Sequence, residues 1–413
     1  MPVFPQDQIV FGILAMTLGF VFYTSSSENK YWKKFYAVIP ALLMCYLIPS
    51  LFNTFGVISD STSGLYSMAK DYLLPTSLVL LTLSIDFKGI LRLGNKALVM
   101  FFTATAGIVI GGPIAVLILS FVSPETVGGV GNNEVWRGLA TLAGSWIGGG
   151  ANQAAMLEMY EYNQSLYAGM VAVDIIVANI WMAFLLWGAG RSNAMDRWLK
   201  ADSSAIDRLK DRMENYRLSV EKMPTLTDTM VILGIGFGAT SLSHFVANIV
   251  TGLIADFGSV AMQQSVLNSH FFWLVVTATT IGLILSFTRA RNYEGAGASR
   301  IGSVFIYILV ATIGMKMDVT QTFDNPGLLA VGLIWMGFHV LLLFIVAKVI
   351  KAPFFFLAVG SKANVGGAAS APVVASAFHP SLASVGVLLA VLGYALGTYG
   401  AILAAEMMRI VSP

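Results

Sequence analysis

Long apolar blocks separated by short polar loops set the pattern of this chain. A helix that crosses a bilayer needs about 20 mostly apolar residues. Twelve segments fit that description: 7–24, 35–54, 72–90, 96–122, 138–159, 165–190, 227–255, 271–288, 301–318, 326–350, 353–378 and 382–408. A polar stretch, Arg191 to Thr225, separates the sixth from the seventh. Its alternating charges (Asp207-Arg208, Lys210-Asp211-Arg212) are interleaved with Leu209, Met213 and Tyr216. That is the pattern of an amphipathic helix outside the apolar core. The first segment does not read as a cleaved signal, because Asp7 stands where a basic region would be.

Loop charge orients the segments, since cytoplasmic loops carry the excess of Lys and Arg. In the first half the basic loops follow segments one (Lys30, Lys33, Lys34) and three (Lys88, Arg92, Lys96). In the second half they follow segments eight (Arg289, Arg291, Arg300) and ten (Lys348, Lys351). The alternation is shifted by one segment, as an inverted-topology repeat requires. The N-terminus reads outside and the C-terminus, with Arg409, inside, which asks for 11 or 13 crossings rather than twelve. The long segment 227–255 and the 191–225 linker are where the count is most open.

Composition supports the bilayer. Apolar residues are 56% of the 413 and charged residues 11%, against roughly 45–50% and 25% in soluble chains. Mean hydropathy is +0.76. A net charge of +2 is too small and scattered to imply nucleic acid. The lone Cys45 permits no internal disulfide, and His244, His270, His339 and His379 show no metal-ligand spacing.

Two glycine clusters interrupt the apolar pattern. Gly144-Ser145-Trp146-Ile147-Gly148-Gly149-Gly150-Ala151-Asn152 matches Gly360-Ser361-Lys362-Ala363-Asn364-Val365-Gly366-Gly367-Ala368, and the Gly-Ser pairs are offset by 216 residues. The following helices open with Ser165-Leu166 and Ser381-Leu382 at the same offset, and Ile85-Asp86 and Met317-Asp318 close earlier segments in the same order. Asp7-x-x-Val10 likewise matches Asp228-x-x-Val231. The chain thus divides into repeats at 1–190 and 227–413 with a linker at 191–226. Glycine costs about 1 kcal/mol against alanine in a helix, so three in a row favour a break. Unwound backbone is tolerated in a bilayer where it lines a cavity whose contents pair its N–H and C=O groups. Close helix packing through small residues is the competing explanation.

The motifs Gly144-Ser145-x-x-Gly148-Gly149-x-x-Asn152, Lys362-Ala363-Asn364-Val365-Gly366-Gly367-Ala368-Ala369-Ser370-Ala371-Pro372 and Gly393-Tyr394-Ala395-x-Gly397-Thr398-Tyr399-Gly400 resemble family 819 of the domains of unknown function, over nearly the whole chain. That family is similar to the superfamily of cation/proton antiporters and anion transporters, which includes bile-acid/sodium and sodium/glutamate symporters. The resemblance implies an all-α polytopic protein of a bacterial inner membrane, built of two inverted repeats. Each repeat would carry a broken crossover helix, and the two would cross at mid-bilayer. A core formed from 72–190 and 301–408 would slide, elevator-fashion, against a panel. Such elevator relatives are often dimers, so a homodimer is implied as well.

Ionisable groups at membrane depth are functional candidates. Asp174 lies near the middle of its segment, where related antiporters place an acidic residue; the preceding residue here is Val173 where they use Asp or Asn. Asn179 is five positions on, about 140° around the helix. Asp174 and Asn179 are the candidates for ion coupling, and Asp174, Asn152 and Asn364 for holding Na⁺. Lys362 could pair with Asp174 or hold a substrate carboxylate, or snorkel to an interface. Ser145, Gly149, Gly150, Asn152, Gln153, Lys362, Asn364, Gly366, Gly367 and Ser370 form the candidate solute site. His339 reads as a satisfied packing histidine. The pattern predicts a Na⁺- or H⁺-coupled carrier of a small anionic or zwitterionic solute, with no other cofactor. A cation/proton antiporter is the alternative within that class. An enzyme is disfavoured because His-Glu-x-x-His, Gly-x-Ser-x-Gly and Walker motifs are absent from the sequence. A channel would not need a lone buried charge.

Overall fold

The computed structural model describes residues 3–4, 6–36, 39, 41–58, 64–201, 206, 223–263, 266–317, 325–379 and 382–413. The linker residues Asp207 to Tyr216, Asp318 and Ser381 lie outside them. Every regular element among the described residues is helical. The principal helices are α1 (Asp7–Ser25), α2 (Ala41–Thr54), α3 (Leu74–Leu83), α4 (Asn95–Val122), α5 (Val135–Met159), α6 (Tyr167–Ala189) and α7 (Ser192–Leu199). The second half adds α8 (Leu226–Phe257), α9 (His270–Ser286), α10 (Ala298–Gly314), α11 (Gly327–Val349), α12 (Phe354–Asn364), α13 (Gly367–Phe378) and α14 (Ala383–Val411).

Each of the twelve apolar segments contains helix. Six helices are long and apolar enough to cross a membrane by themselves, or eight if α2 and α9 are counted with the short helices bent 87° and 95° from them. The α8 segment is one continuous helix of 32 residues, roughly 48 Å long at the standard rise. A capping box between Thr225 and Asp228 starts it. α3 is only 10 residues long, but a π-helical turn, Ala69–Leu73, and a helical turn, Leu65–Met68, run directly into it.

The two glycine-broken segments do not cross. A straight 25-residue helix would hold its ends about 36 Å apart. Instead Arg137, near the start of α5, donates from Nη1 to the carbonyl of Tyr160 at its end, 2.8 Å away. Asn163 donates its amide to the carbonyl of Asn132 (2.9 Å) and its side chain to Asn133 (2.8 Å). The chain reverses at Gly149, whose backbone (φ 73°, ψ −170°) is one that a residue with a Cβ adopts only under strain. The α12–α13 pair does the same. Phe354 and Phe355 at its start pack tilted and edge-on against Phe378 at its end (6.1 and 5.2 Å between centroids), and the turn falls at Val365 and Gly366, the latter with φ 105°. Gly149 and Val365 are separated by the same 216 residues that relate the two sequence motifs. Both segments are therefore re-entrant hairpins, and the expected crossover of two broken helices is corrected.

The hairpins enter from opposite ends of the bundle. At the first end, Tyr160 bonds Glu406 near the C-terminus (3.2 Å), Ser412 bonds the Val127 carbonyl (3.2 Å), Lys70 pairs with Glu158 (3.1 Å), and Asp7 accepts the amide of Gly64 (2.9 Å). At the second end, the Asp196 carboxylate of α7 accepts the Phe354 amide (2.7 Å), and Lys96 bonds the Lys351 carbonyl (2.8 Å). Asp7 and Arg409 thus lie at the same end, which corrects the reading of opposite termini and an odd number of crossings. Each half owes its odd count to a hairpin that returns without crossing.

Helices α1–α3 and α8–α10 pack mainly on one another, as do α4–α6 and α11–α14, and the two groups meet where α3, α9 and α10 touch α5 and where α3 and α9 touch α14. The division falls before α4 and α11, not before the segments at 72 and 301. The reason is close approach: a Cβ on Gly282 of α9 would stand 2.7 Å from the Val79 carbonyl, and one on Gly302 of α10 3.2 Å from Leu80. These glycines draw α9 and α10 against α3.

Candidate functional site

The hairpin tips converge between α6 and α14. A Cβ on Gly393 of α14 would stand 2.7 Å from the carbonyl oxygen of Ile147 and 3.3 Å from that of Ala363. Those two carbonyls are again 216 residues apart. They end the first half-helix of each hairpin, where the negative pole of the helix dipole lies. One turn further along α14, a Cβ on Gly397 would meet Gly148 Cα at 2.5 Å. The Gly393-Tyr394-x-x-Gly397-Thr398 motif is thus the groove that admits both tips.

Asp174 on α6 holds the first hairpin together. Its carboxylate accepts hydrogen bonds from Ser145 Oγ (2.6 Å) and Trp146 Nε1 (2.7 Å) on the inbound half, and from Gln153 Nε2 (3.1 Å) on the outbound half. Charge-assisted bonds of this kind are about twice as strong as neutral ones. The carboxylate therefore ties both arms of α5 to α6.

The two asparagines are used alike. Asn152 Nδ2 donates to the Gly148 carbonyl (3.2 Å) and, across to α14, to the Tyr394 carbonyl (3.0 Å), while its Oδ1 accepts from Thr398 (2.6 Å). Asn364 Nδ2 donates to the Gly360 carbonyl (3.0 Å) and, across to α4, to the Phe101 carbonyl (3.3 Å), while its Oδ1 accepts from Thr105 (2.8 Å). In each case the amide bridges the carbonyl four residues back and a carbonyl–threonine pair, itself spaced by four, on the neighbouring helix. Both side chains are fully buried. Asn152, Asn364 and Asp174 each spend their oxygens on protein donors, so Na⁺ at any of them would have to displace those bonds.

Lys362 is 2% exposed and makes one hydrogen bond, to the Ala178 carbonyl on α6 (3.2 Å), one turn beyond Asp174. It does not ion-pair with Asp174 directly, whose three contacts are those above. Ser361 beside it is fixed by Trp181 Nε1 (2.8 Å) and His339 Nε2 (2.8 Å), and His339 Nδ1 lies 3.1 Å from the Ala104 carbonyl. A carbonyl only accepts, so Nδ1 carries the proton, and a neutral His339 accepts the Ser361 hydroxyl proton through Nε2. This is the satisfied packing histidine of the sequence reading. At the second end, burial pushes the Asp196 carboxyl above the ordinary aspartate range, and the Phe354 amide pulls it back down.

Of the predicted site residues, the structure brings Ser145, Asn152, Gln153 and Asp174 together at the first tip and Lys362, Asn364, Gly366, Gly367 and Ser370 at the second. Gly149 and Gly150 face Tyr394 and Ile306, each 3.9 Å from a built Cβ. Asn179 does not join them: it is exposed on α6, because the five-residue step turns it off the buried face. Sequence reasoning did not single out Trp146, Trp181, Thr105 or Thr398. Trp146 lay inside the first glycine cluster and Thr398 inside the closing motif; Trp181 and Thr105 had no signal.

These features define an all-α polytopic membrane protein with two opposed re-entrant hairpins. The chain belongs to the family described as "Protein of unknown function (DUF819)", which matches residues 12–411. It is also similar to the "Uncharacterized membrane protein YjcL" of Bacillus subtilis (strain 168), with 24% identity over 361 residues, covering 84% of this chain and 85% of that protein.

Proposed function

We propose that the protein is a secondary active transporter, coupled to Na⁺ or H⁺, that moves a small anionic or zwitterionic solute such as an amino acid, short peptide or organic acid. The observation that carries this reading is the meeting of two oppositely oriented hairpin tips at Gly393. A solute held between them faces one side or the other as the hairpins or their whole helix group move, which is alternating access about a fixed central site. Buried Lys362 supplies the preference for negative charge.

On this reading the halves are inverted repeats of five crossings and one hairpin each, the linker stays on one side, and α4–α6 with α11–α14 move as the core against the other helices. Inversion follows from the odd number of crossings, with no crossing needed in the linker. Among the described residues, Lys70, Arg137, Lys316 and Arg409 are the basic groups of the first end, and the rest apart from Lys362 lie at the second end. Positive charge inside then puts the second end in the cytoplasm and both Asp7 and Arg409 outside. Placement in a bacterial inner membrane, a homodimer and a role as carrier rather than enzyme belong to the same proposal.

The test is uptake in proteoliposomes with imposed Na⁺ or pH gradients, using labelled amino acids, dipeptides and organic acids. Saturable uptake that one gradient accelerates is expected. If every solute moves at a rate indifferent to both gradients, coupling is wrong. Gradient-driven Na⁺/H⁺ exchange without organic solute, lost in Asp174→Asn, would favour the antiporter reading instead.

A further inference from the structure

We infer that the second hairpin tip alone grips the solute, and that it does so through a carboxylate held by Lys362 Nζ, Ser370 Oγ and the first amides of α13. This rests on the carrier reading and names the chemistry and the tip. Three observations point there. Lys362 is buried with an ammonium that has three donors, one of which is used, on a carbonyl. A buried ammonium with no anion in direct contact is costly, and a bound carboxylate lowers that cost. The Ser370 hydroxyl is also buried and has no hydrogen-bond partner.

Both groups are aimed at one place. A Cβ on Gly366 would overlap Ser370 Oγ and stand 3.3 Å from Lys362 Nζ. Gly366 is itself exposed, so the ammonium and hydroxyl packed against its Cα lie just beneath the surface. The N-cap of α13, a 12-residue helix whose first turn begins at Gly367, is Gly366, which has no side chain to bond the leading amides, the groups that suit an anion. A carboxylate suits this set: one oxygen takes the ammonium, the other the hydroxyl or an amide. The first tip has no counterpart. Ser145, Trp146, Asn152 and Gln153 are all committed to protein partners there.

The experiment labels the full-length chain in detergent micelles, with Cys45→Ala as background. Ser370→Cys is reacted with an anionic (sulfonatoethyl) and a cationic (trimethylammonioethyl) methanethiosulfonate. The anionic reagent should react about tenfold faster, Lys362→Met should remove that preference, and acetate or glycine should slow the reaction. Ser145→Cys should stay unlabelled. A cationic reagent that reacts as fast, or no protection by acetate, glycine or succinate, would overturn the assignment. Should Ser370→Cys fail to fold, the thermal shift of the unsubstituted protein with the same three carboxylates decides: a shift that disappears in Lys362→Met supports the site, and its absence removes it. Protection without uptake would leave this site standing and end the transport reading; carboxylate uptake without protection would do the reverse.

Discussion

The tips of α5 and of α12–α13 turn at equivalent positions, yet their polar groups are spent differently. At the first tip a carboxylate gathers three donors and an asparagine is saturated. At the second, an asparagine is saturated in the same manner, but an ammonium and a hydroxyl beside it are not. In a bilayer an unsatisfied polar group costs several kcal/mol and lipid cannot relieve it. A hairpin that leaves such groups open is therefore set up to receive something, whereas one that closes them is built to stay in place. Gly366 lies at the open tip and is exposed; Gly148, at the closed one, lies against Gly397.

Substitutions can break this contrast, the largest effect first. Asp174→Ala strands three buried donors and should destabilise the protein by about 3–5 kcal/mol, read as a lowered midpoint of thermal unfolding in detergent. An unchanged midpoint would mean that the carboxylate does not pin α5. Gly393→Ala drives a methyl to 2.7 Å from the Ile147 carbonyl oxygen and should cost about 1–3 kcal/mol, measured the same way; tolerance would show that the first tip packs less closely on α14 than that. Asn152→Ala and Asn364→Ala should each cost about 1–2 kcal/mol. Equal losses are expected because the bonding is equal, and a loss confined to one would show that the two asparagines have different duties. Lys362→Met is expected to shift stability by less than about 1 kcal/mol or to raise it, since it removes a buried charge that has no anion in direct contact. A fall as large as that of Asp174→Ala would place Lys362 among the structural groups and erase the difference between the tips.

Most helices were legible from apolar run length, because lipid demands about 20 apolar residues whatever their partners are. The breaks were legible too, since Gly148-Gly149-Gly150 and Gly366-Gly367 weaken a helix locally. What the breaks do to the path of the chain was not. Gly149 permits a kink in any direction; the direction is set by Arg137 reaching Tyr160 and by Asp174 holding Ser145 and Gln153 at once, contacts made across 21 to 29 residues of sequence. The error in counting crossings came from that gap.

Composition and periodicity by themselves determined a multi-pass helical protein with two weakened segments and two ionisable candidates within apolar runs, Asp174 and Lys362, because solvation by lipid acts on each segment separately. Only the tertiary structure decided that those segments turn back, that Asp174 is enclosed while Lys362 is left with spare donors, and that Asn179 faces outward. Each of these depends on which partner lies within about 3 Å, and hydrogen-bond geometry at that range is fixed by packing between helices distant in sequence.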